Sequence, residues 1–341
     1  MLKWLIVLLA VSLSGLAIVV RNGKGMQFHR MRGITVVAPP QPFKGDPFVD
    51  LQKLPCQWVA IVPYAYTPAN KPQVKYNLEG WQWWGERREG ILASIQMAHQ
   101  AGLKVMLKPQ IYVHGTWTGA LDFKNDSLWE LWELAYATYI SDMIQIAEEE
   151  NVEMFCVGTE FNRSTDTRPQ FWRNLIDKIR HNYKGLLTYS DNWDHYRQIT
   201  FWDKLDFIGI SAYFPLIEEG LALPQRLDSV WSGITNELRN YSSTQKRQIL
   251  FTEFGYMSCE GAAGKSWELE KNLDDCDVNE QTQADCFDAL FRSCWPEKFW
   301  AGGFVWKWYP EGMGHEGFPE KDYTPQHKKA EWIIQKWYRA D

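Results

Sequence analysis

A chain of 341 residues is long enough for one large barrel or for two ordinary domains. Charged residues make up 23% of it, a globular share that excludes wholesale disorder. The formal net charge of −6 leaves no basic footprint for nucleic acid.

The first element is an apolar stretch over residues 4–20, broken only by Ser12, Ser14 and Gly15 and flanked by Lys3 and Arg21. It reads as a signal peptide or membrane anchor over residues 1–21, followed by a tether over 22–32 and a folded domain over 33–341. Its length is near the short limit for crossing a bilayer. Arg21, Lys24, Arg30 and Arg32 pull against export, because the positive-inside rule retains such residues in the cytoplasm. The expectation is an exported domain, membrane-anchored or secreted to the periplasm or cell surface, that meets the membrane through this segment only.

Short apolar runs rich in β-branched and aromatic residues follow at residues 34–37, 58–62, 104–107, 154–157, 186–189, 207–212, 249–251 and 301–306. Helical patterns at 87–101, 128–149, 169–181, 227–241, 281–294 and 328–337 separate most of them. Strands alternating with helices predict parallel βαβ units, and eight of them filling the chain predict a single (β/α)8 TIM barrel of the α/β class. The connection from the first strand to the second shows no clear helix.

In such a barrel the C-terminal strand ends carry chemistry and the N-terminal ends carry stability. Glu153 and Asp206 precede their strands and are expected at the base. Lys108 and Gln110 follow the third strand, Asp191 and Asn192 the fifth, and Tyr213 the sixth, while Trp306 closes the eighth. Two glutamates close apolar runs, in Met154-Phe-Cys-Val-Gly-Thr-Glu160 and in Ile249-Leu-Phe-Thr-Glu253. A carboxylate at the end of a buried strand is costly unless water, a partner or a substrate receives it. The interval from 160 to 253 is 93 residues. At about 31 residues per strand–helix unit, the two strands lie three units apart, nearly across the barrel. Paired carboxylates break glycosidic bonds, and a separation of about 5–5.5 Å is the retaining arrangement. The alternative is two unrelated surface glutamates.

Six cysteines are present. Cys156, inside a strand run, reads as a core residue, and Cys259 with Cys276 would staple a polar loop by a disulfide in an oxidising compartment. The absence of CxxC and HExxH motifs gives no support for a metal. Gly261-Ala-Ala-Gly-Lys-Ser266 has the wrong glycine spacing for a phosphate loop, and His114 and His195 read as loop residues. Trp81, Trp83, Trp84, Trp117 and Trp193 fall in loops after strands, where two or three of them are suited to stack on sugar rings.

Gly102-Leu-Lys-Val-Met-Leu-Lys-Pro-Gln110, Val157-Gly-Thr-Glu160 and Leu250-Phe-Thr-Glu-Phe-Gly-Tyr256 resemble the clan-A retaining glycoside hydrolases, and most closely glycoside hydrolase family 113, known for β-mannanases. The resemblance runs over residues 33–339. It implies that Glu160 is the general acid/base and Glu253 the nucleophile, that Tyr213 hydrogen-bonds the nucleophile, and that Trp306 is the platform beneath the sugar at the cleavage point. Most of the clan has Asn before the acid/base, holding the sugar 2-hydroxyl, whereas this chain has Thr159. Asn162 or Gln110 would take over that contact, or the 2-hydroxyl is oriented differently, as an axial mannose hydroxyl allows. Asn162-Arg-Ser164 is also a glycosylation acceptor pattern, but a glycan there would block the cleft.

The expected activity is therefore endo-β-1,4-mannanase action on mannan or glucomannan by double displacement, without a cofactor. The substrate is an oligo- or polysaccharide bound through Lys108, Gln110, Trp117, Asn162, Asn192, Tyr213 and Trp306, and the protein is expected to be a monomer. The competing readings are hydrolysis of another β-linked glycan, and a catalytically silent barrel that binds polysaccharide.

Overall fold

The computed structural model describes residues 30–218, 220–310 and 319–340. The apolar stretch at 4–20 lies outside them, and among the described residues no helix is long and apolar enough to cross a membrane.

In chain order the strands are β1 (Met31–Val36), β2 (Trp58–Ile61), β3 (Tyr64–Pro68), β4 (Lys104–Leu107), β5 (Gln110–His114), β6 (Met154–Thr159), β7 (Leu186–Asn192), β8 (Ile208–Ser211), β9 (Ile249–Phe254) and β10 (Trp300–Trp308). Eight of them close a parallel barrel in the order β1-β2-β4-β6-β7-β8-β9-β10, while β3 and β5 pair only with each other. The helices are α1 (Arg88–Gln100), α2 (Asp126–Glu149), α3 (Asn162–Thr167), α4 (Pro169–Asn182), α5 (Pro224–Gln245), α6 (Ser266–Leu269), α7 (Glu280–Cys294) and α8 (Lys329–Arg339). All eight expected strands and all six expected helices are present. Only a single 3-10 turn, Leu51–Lys53, stands between β1 and β2.

Burial divides the strand side chains into two sets. Trp58, Ala60, Met106, Met154, Cys156, Leu250 and Phe304 form one buried cluster. The intervening residues, among them Val59, Val105, Phe155 and Phe251, belong to a larger layer shared with the helices. That division is the period-2 alternation of a strand, with one face in the barrel lumen and the other against helices. Helix ends are set locally as well: Asn125 accepts the Leu128 amide at the start of α2, and Asn279 accepts that of Thr282 at the start of α7.

The base of the barrel is tied by charged groups. Glu153 accepts the Val105 amide at 2.8 Å, and Asp206 accepts that of Leu187 at 2.7 Å, so both occupy the base. Arg30 donates to the carbonyls of Trp295 and Glu297, and Arg32 to that of Tyr338. The folded region thus begins before residue 33, and two of the four basic residues after the apolar stretch serve the barrel.

Beyond the barrel rim, β3 and β5 continue the paths of β2 and β4 as a parallel pair. Pro63 and Pro109 separate them from the barrel strands, and the Gln110 amide bonds to the Pro63 carbonyl at 2.9 Å. Proline offers no N–H to a ladder, so a proline on each of two neighbouring strands at the same level ends the barrel pairing and redirects both chains.

Candidate active site

Two bulges aim the glutamates. Along β9, Ile210 of β8 pairs with Phe251 but Ser211 pairs with Glu253, so β9 carries one extra residue at Thr252. Strict alternation from the lumen-facing Leu250 would leave Glu253 toward the helices, and the bulge turns it back toward the lumen. Thr252 stays inward, its hydroxyl 2.6 Å from that of Ser190, which lies 3.0 Å from that of Ser211. On β6 the register with β7 shifts between Cys156 and Thr159. A Cβ at Gly158 would stand 2.7 Å from the Trp172 ring, so the bulge accepts only glycine there. Glu160 itself has φ 58°, the left-handed region that a non-glycine residue adopts under local constraint.

Three donors hold Glu253. Lys108, fully buried at the end of the third barrel strand, forms an ion pair with Oε1. Gln110 Nε2 donates to the same oxygen at 2.7 Å, and the Tyr213 hydroxyl donates to Oε2 at 3.1 Å. Burial, reinforced by the Glu253 charge, holds the Tyr213 phenol far above its ordinary pKa, so it remains a donor at neutral pH.

Glu160 has a different environment. Burial first, and then the negative charge of Glu253, push its carboxyl up to about 7, against hydrogen bonds from Trp117 and Ser211 and the charge of Lys108. The Trp117 indole donates to Oε2 at 3.0 Å and is itself 47% exposed. The two carboxyls therefore share one opening, each within the field of the other and linked through Ser211, which hydrogen-bonds Glu160 and pairs in register with Glu253.

A family model described as Glycoside Hydrolase Family 113 matches residues 45–328. The chain belongs to glycoside hydrolase family 113. Similar solved structures include the GH113 β-mannanase AaManA from Alicyclobacillus acidocaldarius in complex with ManMIm, at 25% identity and a TM-score of 0.79, covering 92% of this chain and 98% of that one. A GH113 β-1,4-mannanase complex matches at 25% identity and a TM-score of 0.77, covering 92% and 99%. The Ruminococcus gnavus β-glucuronidase, at 13% identity and a TM-score of 0.62, covers 91% of this chain with 50% of its own and shares the fold alone. No curated protein sequence matches significantly.

The remaining expected residues of this family-113 glycoside hydrolase stand around the same mouth. Asn192 Nδ2 lies 3.4 Å from Asn162 Oδ1, both partly exposed beside Glu160. Trp306 is partly exposed and lines a cleft together with Tyr64, Tyr66 and Tyr112. Thr159, at the clan's asparagine position, is buried. Of the two residues expected to replace it, Gln110 is engaged with Glu253, whereas Asn162 is partly exposed and pairs with Asn192.

Three expectations need correction. Lys108, expected among the substrate-binding residues, has its ammonium directed at Glu253 and is shielded from the cleft. His195 is no ordinary loop residue: its Nδ1 lies 2.7 Å from Asp191 and its Nε2 3.0 Å from Asp166, so it joins the end of β7 to α3. Cys259 and Cys276 stand side by side but are free thiols, and burial followed by the hydrogen bond to Cys276 pushes the Cys259 thiol up. Sequence reasoning also missed the cleft formed by Tyr64, Tyr66, Tyr112 and Glu86. The alternation of Tyr64 with Tyr66, and of Gln110 with Tyr112, was the available signal, concealed by the prolines that end the preceding apolar runs. Among the described residues no group of three or more His, Cys, Asp or Glu side chains is placed to hold a metal ion.

Proposed function

We propose that this glycoside hydrolase is a retaining endo-β-1,4-mannanase. One observation carries the reading: Glu160 has a carboxyl pushed up to about 7, while the neighbouring Glu253 is ion-paired and held by three donors. Two carboxyl groups whose environments differ in this way divide into an acid and a nucleophile.

In the first step a Glu253 oxygen attacks the anomeric carbon, and Glu160, in its acid form, gives its proton to the departing glycosidic oxygen. The C–O bond to the leaving sugar breaks as the bond to Glu253 forms. Esterification removes the Glu253 charge that raised the Glu160 pKa, so Glu160 ionises and takes a proton from water in the second step. Tyr213 and Gln110 keep the nucleophile oriented, Trp306 supports the sugar ring, and the Asn162–Asn192 pair replaces the clan's asparagine at the 2-hydroxyl. Lys108 acts through Glu253 and does not touch the sugar. Mannan as substrate rests on the β-mannanase relatives.

The test is digestion of manno-oligosaccharides and glucomannan beside cello-oligosaccharides, with proton NMR of the first-formed anomer. Shortened mannosides released as the β-anomer support the proposal. Cleavage restricted to glucosides overturns mannan as substrate, and an α-anomer overturns retention. Binding without cleavage would identify a silent barrel. Export and tethering through residues 4–20 belong to the same reading, and protease accessibility of the domain in intact cells tests them.

A further inference from the structure

After Glu160 the chain leaves the barrel rim as α3, a helix of six residues, too short to hold itself together by its own hydrogen bonds. Its place therefore depends on what grips it. Four contacts tie this segment to β7 and the turn after it. The Glu160 amide donates to the Ser190 carbonyl at 2.8 Å, and the Phe161 amide to the Tyr189 hydroxyl at 2.8 Å. Asn192 Nδ2 meets Asn162 Oδ1 at 3.4 Å. The fourth contact is ionic and runs through His195, whose Nδ1 lies 2.7 Å from Asp191 and whose Nε2 lies 3.0 Å from Asp166.

Sequence spacing carries this fourth contact to the mouth. Asn162 and Asp166 are four residues apart on α3, so their side chains share one face of the helix, one turn apart. Asp191 and Asn192 are consecutive on β7, and the turn that returns His195 is closed by its amide on the Asn192 carbonyl at 3.0 Å. One helix face thus meets the end of β7 twice, through an amide pair beside Glu160 and through the His195 bridge one turn farther along.

Both ring nitrogens of His195 face carboxylate oxygens, and only the protonated imidazole donates from both. Hydrogen bonds between charged groups are about twice as strong as neutral ones. Asp191 is fully buried, whereas the Asp166 side chain is 47% exposed. The double displacement itself uses none of the three.

We propose that His195 is a positioning residue for the reaction: by bridging Asp191 and Asp166 it locks α3 to the end of β7 and thereby holds the Asn162 amide at the sugar 2-hydroxyl. The proposal rests on the glycosidase reading of Glu160 and Glu253 and on the Asn162–Asn192 pair at that hydroxyl.

The test is a double-mutant cycle on kcat and KM for mannotetraose. His195→Gln removes the charge. Asp166→Ala breaks the bridge from its exposed end without touching buried Asp191, so it carries the test if His195→Gln fails to fold. Each is expected to lower kcat about tenfold, the value of one hydrogen bond, with KM little changed, because contacts to the 2-hydroxyl strengthen in the transition state. In an Asn162→Ala background the same substitutions should cost less than about twofold, since the contact they position is already gone. A bridge that serves stability alone, or that acts on Glu160, would lower kcat by the same factor in both backgrounds, and that result overturns the proposal. An unchanged kcat in the parent background, with or without a change in KM, overturns it too. The parent's own activity separates this failure from that of the function. A parent that cleaves only gluco-oligosaccharides loses mannan as substrate but not the cycle, which is then run on them. A parent that cleaves no β-glycan overturns both.

Discussion

Lys108 and Glu253 come from strands 145 positions apart in sequence and form a buried ion pair at the barrel mouth. The pair fixes one oxygen of Glu253, while Tyr213 binds the other. A single arrangement therefore serves both packing and the proposed chemistry.

Lys108→Met should weaken both. Removing one partner of a buried ion pair leaves the other charge uncompensated, at a cost of about 3–5 kcal/mol. Thermal unfolding should show a lower melting temperature and turnover should fall sharply; a variant matching the parent in both would leave the pair with no importance.

Substitution of the two glutamates should separate their roles. Glu160→Gln should lower kcat by about 10²–10⁴-fold, the range for a general acid–base. Substrates with a good leaving group, which need little protonation, should lose less in the first step. Glu253→Ala should abolish turnover on all of them, and wild-type kinetics from that variant would remove Glu253 from the mechanism.

The raised carboxyl of Glu160 fixes a pH dependence. Its ordinary value is 4.5 and its folded value about 7, so the acid form required for leaving-group protonation is lost as pH rises through about 7. Activity should decline on that alkaline limb. For stability the sign is the same: the folded chain holds the proton more tightly than the unfolded one, so the Glu160 contribution is present below 4.5 and lost as pH rises toward 7. In Glu160→Gln, denaturant melts across this window should show a flatter pH dependence.

Tyr213→Phe removes one hydrogen bond to a charged acceptor, worth about 1.5–3 kcal/mol. The expected loss is about 10–100-fold in kcat with little change in fold. Circular dichroism and steady-state kinetics check the two parts, and an unchanged kcat would show that Lys108 and Gln110 suffice.

His195 lies between Asp191 and Asp166, and burial, which lowers its pKa, is outweighed by these two carboxylates, so the net direction is upward from 6.5. Its contribution to stability is present below 6.5 and is lost as pH rises through the higher folded value. His195→Gln should flatten that loss, as measured by melting temperature against pH, and an unaltered profile would show that the bridge has no weight.

Much of this arrangement was legible in the sequence. The eight strands were visible as short β-branched and aromatic runs, and the helices as separate periodic stretches. The outward-turned wall was not, because Pro63 and Pro109 ended the apolar runs just where β3 and β5 begin. Lys108 was identified as a mouth residue, but a lysine at a strand end has no local feature that says which carboxylate it meets. The Cys259–Cys276 neighbourhood was anticipated, but proximity alone did not make a disulfide.

By itself the sequence determined which residues stand at the strand ends, since strand length and side-chain alternation are local properties of the chain. Tertiary structure decided where they point and what charge they carry. The extra residue at Thr252 turns Glu253 inward only through its pairing with β8, and Glu160 acquires its high pKa only from burial and the charge of a carboxylate on another strand. Both effects arise between segments distant in sequence, where only the closed barrel brings the groups together.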